Sequence, residues 1–191
     1  MTTVRPYHHG NLREAVLAAA INAINEVGPA SVSLRDLARR AGVSHAAPAH
    51  HFGDKAGLLT ALAAEGYDLL ADALAAAQQR TQDFLEVGVA YVRFALEHRS
   101  HFAVMFRPDL YHPDDPAVRA ARERASDALS TGIGSIPSGR AGPDARLAGV
   151  AAWSLVHGFA TLWLNGALPP ELGDDPEALA RAVAAVLFSP P

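Results

Sequence analysis

Residue types suited to holding a phosphate or reading a base edge gather in one stretch, Ser33 to Phe52, SLRDLARRAGVSHAAPAHHF. Ser33 and Ser44 each stand where a helix would begin, and the free N–H groups of a helix start attract anions. Arg35 adds a cation beside the first of them. His45 can donate to a guanine acceptor, and the small Ala46 and Ala47 let a helix sit deep and touch thymine methyls. His50 follows about one turn later. This is the chemistry of binding a polyanion. A nucleophile spaced from a base, or a glycine-rich phosphate loop, emerges nowhere in the chain, so an enzyme is not expected.

The elements that would position these residues are short helices. Leu34, Leu37 and Ala38 are apolar at helical spacing behind Ser33 as N-cap. Gly42 can take the left-handed conformation that ends a helix, and Ser44 then caps a second helix from His45 to about His51. The result is a helix-turn-helix, whose second helix can enter the major groove. Ahead of it, Asn11 can cap a helix to Val27 with a stripe of Leu12, Val16, Ala20, Ile24 and Val27, stopped by Gly28-Pro29. Residues 1–10 form a polar arm. Behind it, Asp54 caps a helix to about Gln79 with Leu58, Leu59, Leu62, Leu69 and Leu70 on one face, about 35 Å long.

The remaining chain continues in the same periodicity. Phe84 to His98 is amphipathic. Arg99-Ser100 breaks it before the aromatic-rich His101–Phe106, and Pro116 opens a helix to about Thr131. Residues 132–143 are rich in glycine and proline. An apolar helix spans Asp144 to Asn165, and the last runs from Pro176 to Phe188. The fold class expected is all-α, with eight or nine helices.

Composition sets the bounds. The chain has 191 residues, half of them hydrophobic, enough for a sizeable core. It has no cysteine, which excludes disulfides and thiolate metal sites and fits a reducing cytoplasm. No uninterrupted apolar run of about 18 residues occurs, so no membrane span is expected. The net charge of −4 hides a split: residues 1–60 carry six Lys/Arg and four Asp/Glu, a net of +2, while residues 61–191 carry ten and sixteen, a net of −6. One end of the molecule would thus face phosphates. Nine histidines invite a metal reading. However, His50 and His51 are adjacent and cannot share a site on a helix. His98 and His101 straddle the expected break, and no carboxylate or cysteine set accompanies them. Neither a metal nor any cofactor is expected.

From Asn11 to Leu70 the ordered pattern resembles the tetracycline-repressor (TetR) family. It comprises the first amphipathic helix, then VSLRDLARRAGVS, a short helix ending His51-Phe52, Gly53-Asp54-Lys55 and Leu58-Leu59. The resemblance implies a three-helix DNA-binding domain, taken as residues 1–57. A long helix joins it to a helical effector-binding and dimerising domain, residues 58–191. It also implies that Lys55, the one lysine against fifteen arginines, contacts a phosphate. Its charge would otherwise oppose the dipole of the helix it begins. The family pattern commonly carries a tyrosine where this chain has Ala49. That contact to the DNA backbone is missing here, and His50 or His51 stands where it can substitute.

In the second half, Ala152 to Phe159, AWSLVHGF, resembles the Trp-His-Gly class of TetR C-terminal domains, as does Arg99–Phe106, RSHFAVMF. The helix bearing it is apolar nearly all round, as expected of a helix covered on one side by its own chain and on the other by a second subunit. Gly158 would mark a close helix approach. Phe102, Met105 and Phe106 offer a soft apolar wall, and Trp153 and His157 share a face; these are the candidate ligand residues, for an apolar or aromatic effector. The function implied is a homodimeric repressor released from a palindromic double-stranded operator by a small molecule. The alternatives are a helical sensor that has lost DNA binding and a regulator acting as an activator.

Overall fold

In a computed structural model of the chain, residues 9–131 and 145–188 are described. They form nine α-helices without a β-strand among them. The helices are α1 His9–Val27, α2 Leu34–Arg40, α3 Ala47–Phe52, α4 Lys55–Thr81, α5 Phe84–Glu97, α6 Arg99–Met105, α7 Pro116–Thr131, α8 Ala145–Leu164 and α9 Pro176–Phe188. Short 3-10 turns occupy Pro29–Ser31 and Pro170–Leu172. The glycine-rich stretch 132–143 lies outside the described residues. So does most of the expected arm, except that His9 and Gly10 open α1. Asn11 is therefore inside that helix and does not cap it.

The helices gather into two compact units. One holds the described residues through Gly66 together with Arg99–Arg119. The other holds Tyr67–His98 and the described residues from Ala120 onward.

In the first unit, α1 packs on α2, α3 and α6. Leu12, Val16, Ala20 and Ile24 are buried as the stripe requires, but Val27 is exposed, because the helix ends there. Leu37 and Ala38 of α2 complete this small core. Ser100 is no breaker: it lies within α6, fully enclosed, and its hydroxyl donates to the Ile21 carbonyl at 2.7 Å. Only His98, at φ −115° and ψ 45°, separates α5 from α6. Nothing in Arg99-Ser100 opposes helix, and a satisfied hydroxyl can be buried at little cost. Helix α6 also lies so close to α4 that a Cβ on Gly66 would come within 2.6 Å of Met105 Sδ.

In the second unit, α5 is the centre and packs on both α8 and α9. Val87, Val89, Tyr91, Val92, Phe94 and Ala95 are buried along it. A Cβ on Gly88 would sit 3.2 Å from Val156, so the absent side chain sets how closely α8 approaches. Two bidentate ion pairs fix α9 alongside. Arg93 donates to Glu177 at 2.6 and 2.5 Å, and Arg181 to Glu86 at 2.6 and 3.0 Å. The crossed order of the pairs along the two helices makes them antiparallel. Each guanidinium holds its carboxyl partner below the ordinary carboxylate range, and each arginine is raised in turn.

Helix α8 is covered by its own chain on one side only. Ala152, Val156, Phe159 and Ala160 are buried, whereas Leu147 is 67% and Val150 55% exposed, and Trp153 and Leu162 are exposed too. Residues Arg146–Leu164 are long and apolar enough to cross a membrane by length and composition. Ser154, His157 and several small residues interrupt the run, which hides that property from a search for consecutive apolar residues. Gly158 has open space where a Cβ would point, so no neighbour within the described chain explains it.

Candidate nucleic-acid interface

The start and end of α2 follow from sequence. Ser33 Oγ accepts from the Asp36 amide at 3.2 Å. At the other end Gly42 has φ 65°. Its N–H donates to the Arg39 carbonyl at 3.3 Å, and the Val43 N–H to Ala38 at 3.0 Å. This pair of bonds satisfies the last carbonyls of the helix and turns the chain sharply.

The start of α3 corrects the sequence expectation. The helix begins at Ala47 with Ala46 as N-cap, and the Ser44 hydroxyl does not cap it. The reason is Pro48. A helix beginning at His45 would need the amide of residue 48 for the Ser44 carbonyl, and proline has none. The Ser44 carbonyl instead accepts from Ala47 at 3.0 Å, and the first α-type bond runs from His50 to Ala46 at 2.9 Å. His45 thus belongs to the turn, and Pro48 is the buried anchor of α3.

Most of the residues expected to contact DNA are exposed. Ser33, Arg35, Ser44, His45, Ala46 and His50 are exposed, and Ala47 and Lys55 are half-buried. Of the arginines of α2, Arg39 binds Asp36 at 2.6 Å, while Arg40 binds Asp36 at 2.6 Å and Glu26 at 2.8 Å. These contacts hold the Asp36 and Glu26 carboxyls below their usual range and raise Arg40. Arg35 makes no ion pair among the described residues, so its charge is free for an external anion. Lys55 donates from Nζ to the Ala30 carbonyl. That contact ties the start of α4 to the turn after α1 and offsets the unfavourable dipole. Asp54 caps α4 as expected, its Oδ1 accepting from the Gly57 amide at 2.8 Å. Arg13 places its guanidinium 5.9 Å from the centre of the Phe52 ring, which holds α3 to α1.

The ligand candidates divide between the units. Phe102 and Phe106 stand edge to face at 5.1 Å and Met105 is buried beside them, all in the first unit. Trp153 and His157 lie in the second, 5.9 Å ring to ring. The residue that the sequence missed is Tyr91. Its hydroxyl accepts from Trp153 Nε1 at 3.2 Å and lies 2.9 Å from His157 Nδ1. An indole N–H can only donate, so the network is satisfied when the phenol gives its own proton to Nδ1 of a neutral imidazole. Burial pushes the Tyr91 phenol up and His157 down, which favours this neutral arrangement. No local pattern links residues 66 positions apart, so only the fold reveals the cluster. A separate cleft of about 160 Å³ lies between α4 and α5, with Arg80, Arg93, Phe94 and His98 on its walls.

Comparison with known proteins agrees with both halves. Residues 84–187 match the model for the tetracyclin repressor-like C-terminal domain. Residues 16–62 match that for bacterial regulatory proteins of the tetR family. The HTH-type transcriptional regulator BetI of Escherichia coli is 30% identical over 180 residues, 87% of each chain. BetI 2 of Chromohalobacter salexigens is 39% identical over 71 residues, 37% of this chain and 34% of that one. A solved protein of unknown function from Rhodococcus sp. RHA1 superposes with a TM-score of 0.78 at 34% identity, covering 97% of both chains. The chain belongs to the TetR family, and is a DNA-binding transcriptional regulator rather than an enzyme.

Proposed function

We propose that this regulator is a homodimeric repressor that binds a palindromic operator through residues 1–57 and is released by a small apolar or aromatic effector held by residues 58–191. The observation that carries the DNA half is the exposed surface of Ser33, Arg35, Ser44, His45, Ala46 and His50 around a proline-anchored α3. Ser33 and Ser44 offer hydroxyls to phosphates, and Lys55 can exchange the Ala30 carbonyl for one. His45, Ala46 and Ala47 are the base-reading positions. The dimer half rests on the exposed apolar residues of α8, the open space at Gly158 and Val186 of α9, 82% exposed. A second copy covering them removes apolar surface from water and presents two recognition helices to two half-sites.

For the effector, Trp153 and His157, with Tyr91, offer a neutral polar cluster of the Trp-His-Gly type in the second unit, and Phe102, Met105 and Phe106 offer an apolar wall in the first, two separate candidate ligand surfaces. Effector binding favours one dimer geometry over the other and so weakens operator affinity. Selection of bound duplexes from a random pool tests the reading. A recovered palindrome, bound with steep salt dependence by a dimer, supports it. A dimer without salt-sensitive DNA affinity sinks it in favour of a helical sensor.

A further inference from the structure

Between Arg40 and Lys55 the chain contains neither lysine nor arginine. The turn and the whole of α3 therefore face the phosphates without a permanent cation. What they do carry is imidazole. His45 stands exposed in the turn, and His50 and His51 are exposed on the last turn of α3, with rings 5.5 Å apart.

We infer that DNA binding by this head is coupled to proton uptake, with protons going to the exposed imidazoles of His45 and His50. Affinity then rises as pH falls. This rests on the docking described above. Histidine is the side chain whose charge ordinarily changes between about pH 5 and 8. A phosphate at hydrogen-bond distance favours the charged form, and each added cation displaces counterions from the duplex.

The surroundings leave this role to the DNA. Helix α1 packs on α3 and brings Arg13, Glu14 and Glu26; α2 brings Arg35, Asp36, Arg39 and Arg40. Asp54 and Lys55 follow at the start of α4. Asp36 and Glu26 are held by Arg39 and Arg40, and Asp54 by the Gly57 amide. Arg13 sits over Phe52, Lys55 on the Ala30 carbonyl, and Glu14 is exposed on α1. Neither His45 nor His50 forms an ion pair among the described residues, so phosphates are the first anions to meet them.

The test is fluorescence anisotropy of the full chain on two duplexes, one selected from a random pool and one of mixed sequence. Ionic strength is held constant while pH runs from about 8 to about 6. Affinity should climb by about tenfold per pH unit for each proton taken up in the steep region. The salt slope should steepen by about one per proton. Calorimetry in two buffers of different ionisation heat should register net proton uptake on binding. The triple exchange His45→Gln, His50→Gln, His51→Gln should flatten the pH slope. Arg35→Gln should weaken binding equally at every pH. Salt-sensitive binding that is flat in pH, or a slope that survives the triple exchange, overturns the coupling while leaving DNA binding intact. An absence of salt-sensitive binding at every pH overturns the docking itself, and the coupling with it.

Discussion

His45 in the turn and His50 on α3 are exposed, while His157 is half-buried on α8 with its Nδ1 2.9 Å from the Tyr91 hydroxyl. Arginine divides in the same way. Arg35 makes no ion pair among the described residues, whereas Arg93 and Arg181 are each gripped by a glutamate at both oxygens. In the first unit, these groups form no ion pair among the described residues. In the second unit they are spent on one another. The contrast teaches that residue type alone does not assign a role; what decides it is whether the fold has already supplied a partner. It also sets opposite responses to acid. On the docking proposed above, charge gained by the exposed histidines would lie beside DNA. His157 is lowered by burial, so the unfolded chain binds its proton more readily than the folded one. Its contribution to stability is therefore lost as pH falls through about 6.5 and below.

The largest effect that would sharpen this contrast is on Tyr91. Tyr91→Phe leaves Trp153 Nε1 and His157 Nδ1 without their shared partner, and should cost about 2 kcal/mol in chemical denaturation. It should also weaken the acid-induced loss. An unchanged midpoint would mean that the cluster is not holding α5 to α8.

Ser33 tests the boundary between the two kinds of residue, because it both caps α2 and faces the proposed phosphate. Ser33→Ala should lower stability by about 1 kcal/mol and reduce DNA affinity together. A change in affinity alone would place it wholly among the outward-facing groups.

The ion pairs on α9 should matter less, since their side chains are about a third exposed and solvent screens them. A double-mutant cycle on Glu86 and Arg181 should give about 0.5 kcal/mol at neutral pH. The lowered carboxyl binds its proton later than in the unfolded chain. The coupling is thus fully present above the ordinary carboxylate range and vanishes as pH falls through the depressed value.

Smallest of all for stability is Arg35→Gln, within about 0.5 kcal/mol by thermal melting. The same variant should bind DNA more weakly with a shallower salt slope. A large loss of stability here would break the contrast at its centre.

Much of the fold was legible because its signals are local. Ser33, Gly42, Asp54, Pro116 and Pro176 each mark a helix end through the backbone group they supply or lack, and each stands at or beside the boundary expected of it. Pro48 is the instructive exception. Its missing N–H is tolerable in a first turn, and it is also the reason that turn comes two residues later than the serine cap suggests. Arg99-Ser100 misled because a buried serine is decided by a carbonyl on another helix, at Ile21. Tyr91 lay beyond reach for the same reason. Its partners are set by how α5 meets α8, and Gly88 controls that approach without announcing it. The candidate ligand residues looked like one set in sequence, yet they belong to two compact units. Apolar patterning tells that a side chain is covered and not by what.

The anchoring of α3 by Pro48 has one more consequence. Proline is the only buried residue of that helix, and Ala46, Ala49 and His50 around it are exposed. Exchanges at those three positions leave the core untouched and should be nearly neutral for folding. On the docking proposed above, operator preference can therefore change at these positions without cost to the fold of the head.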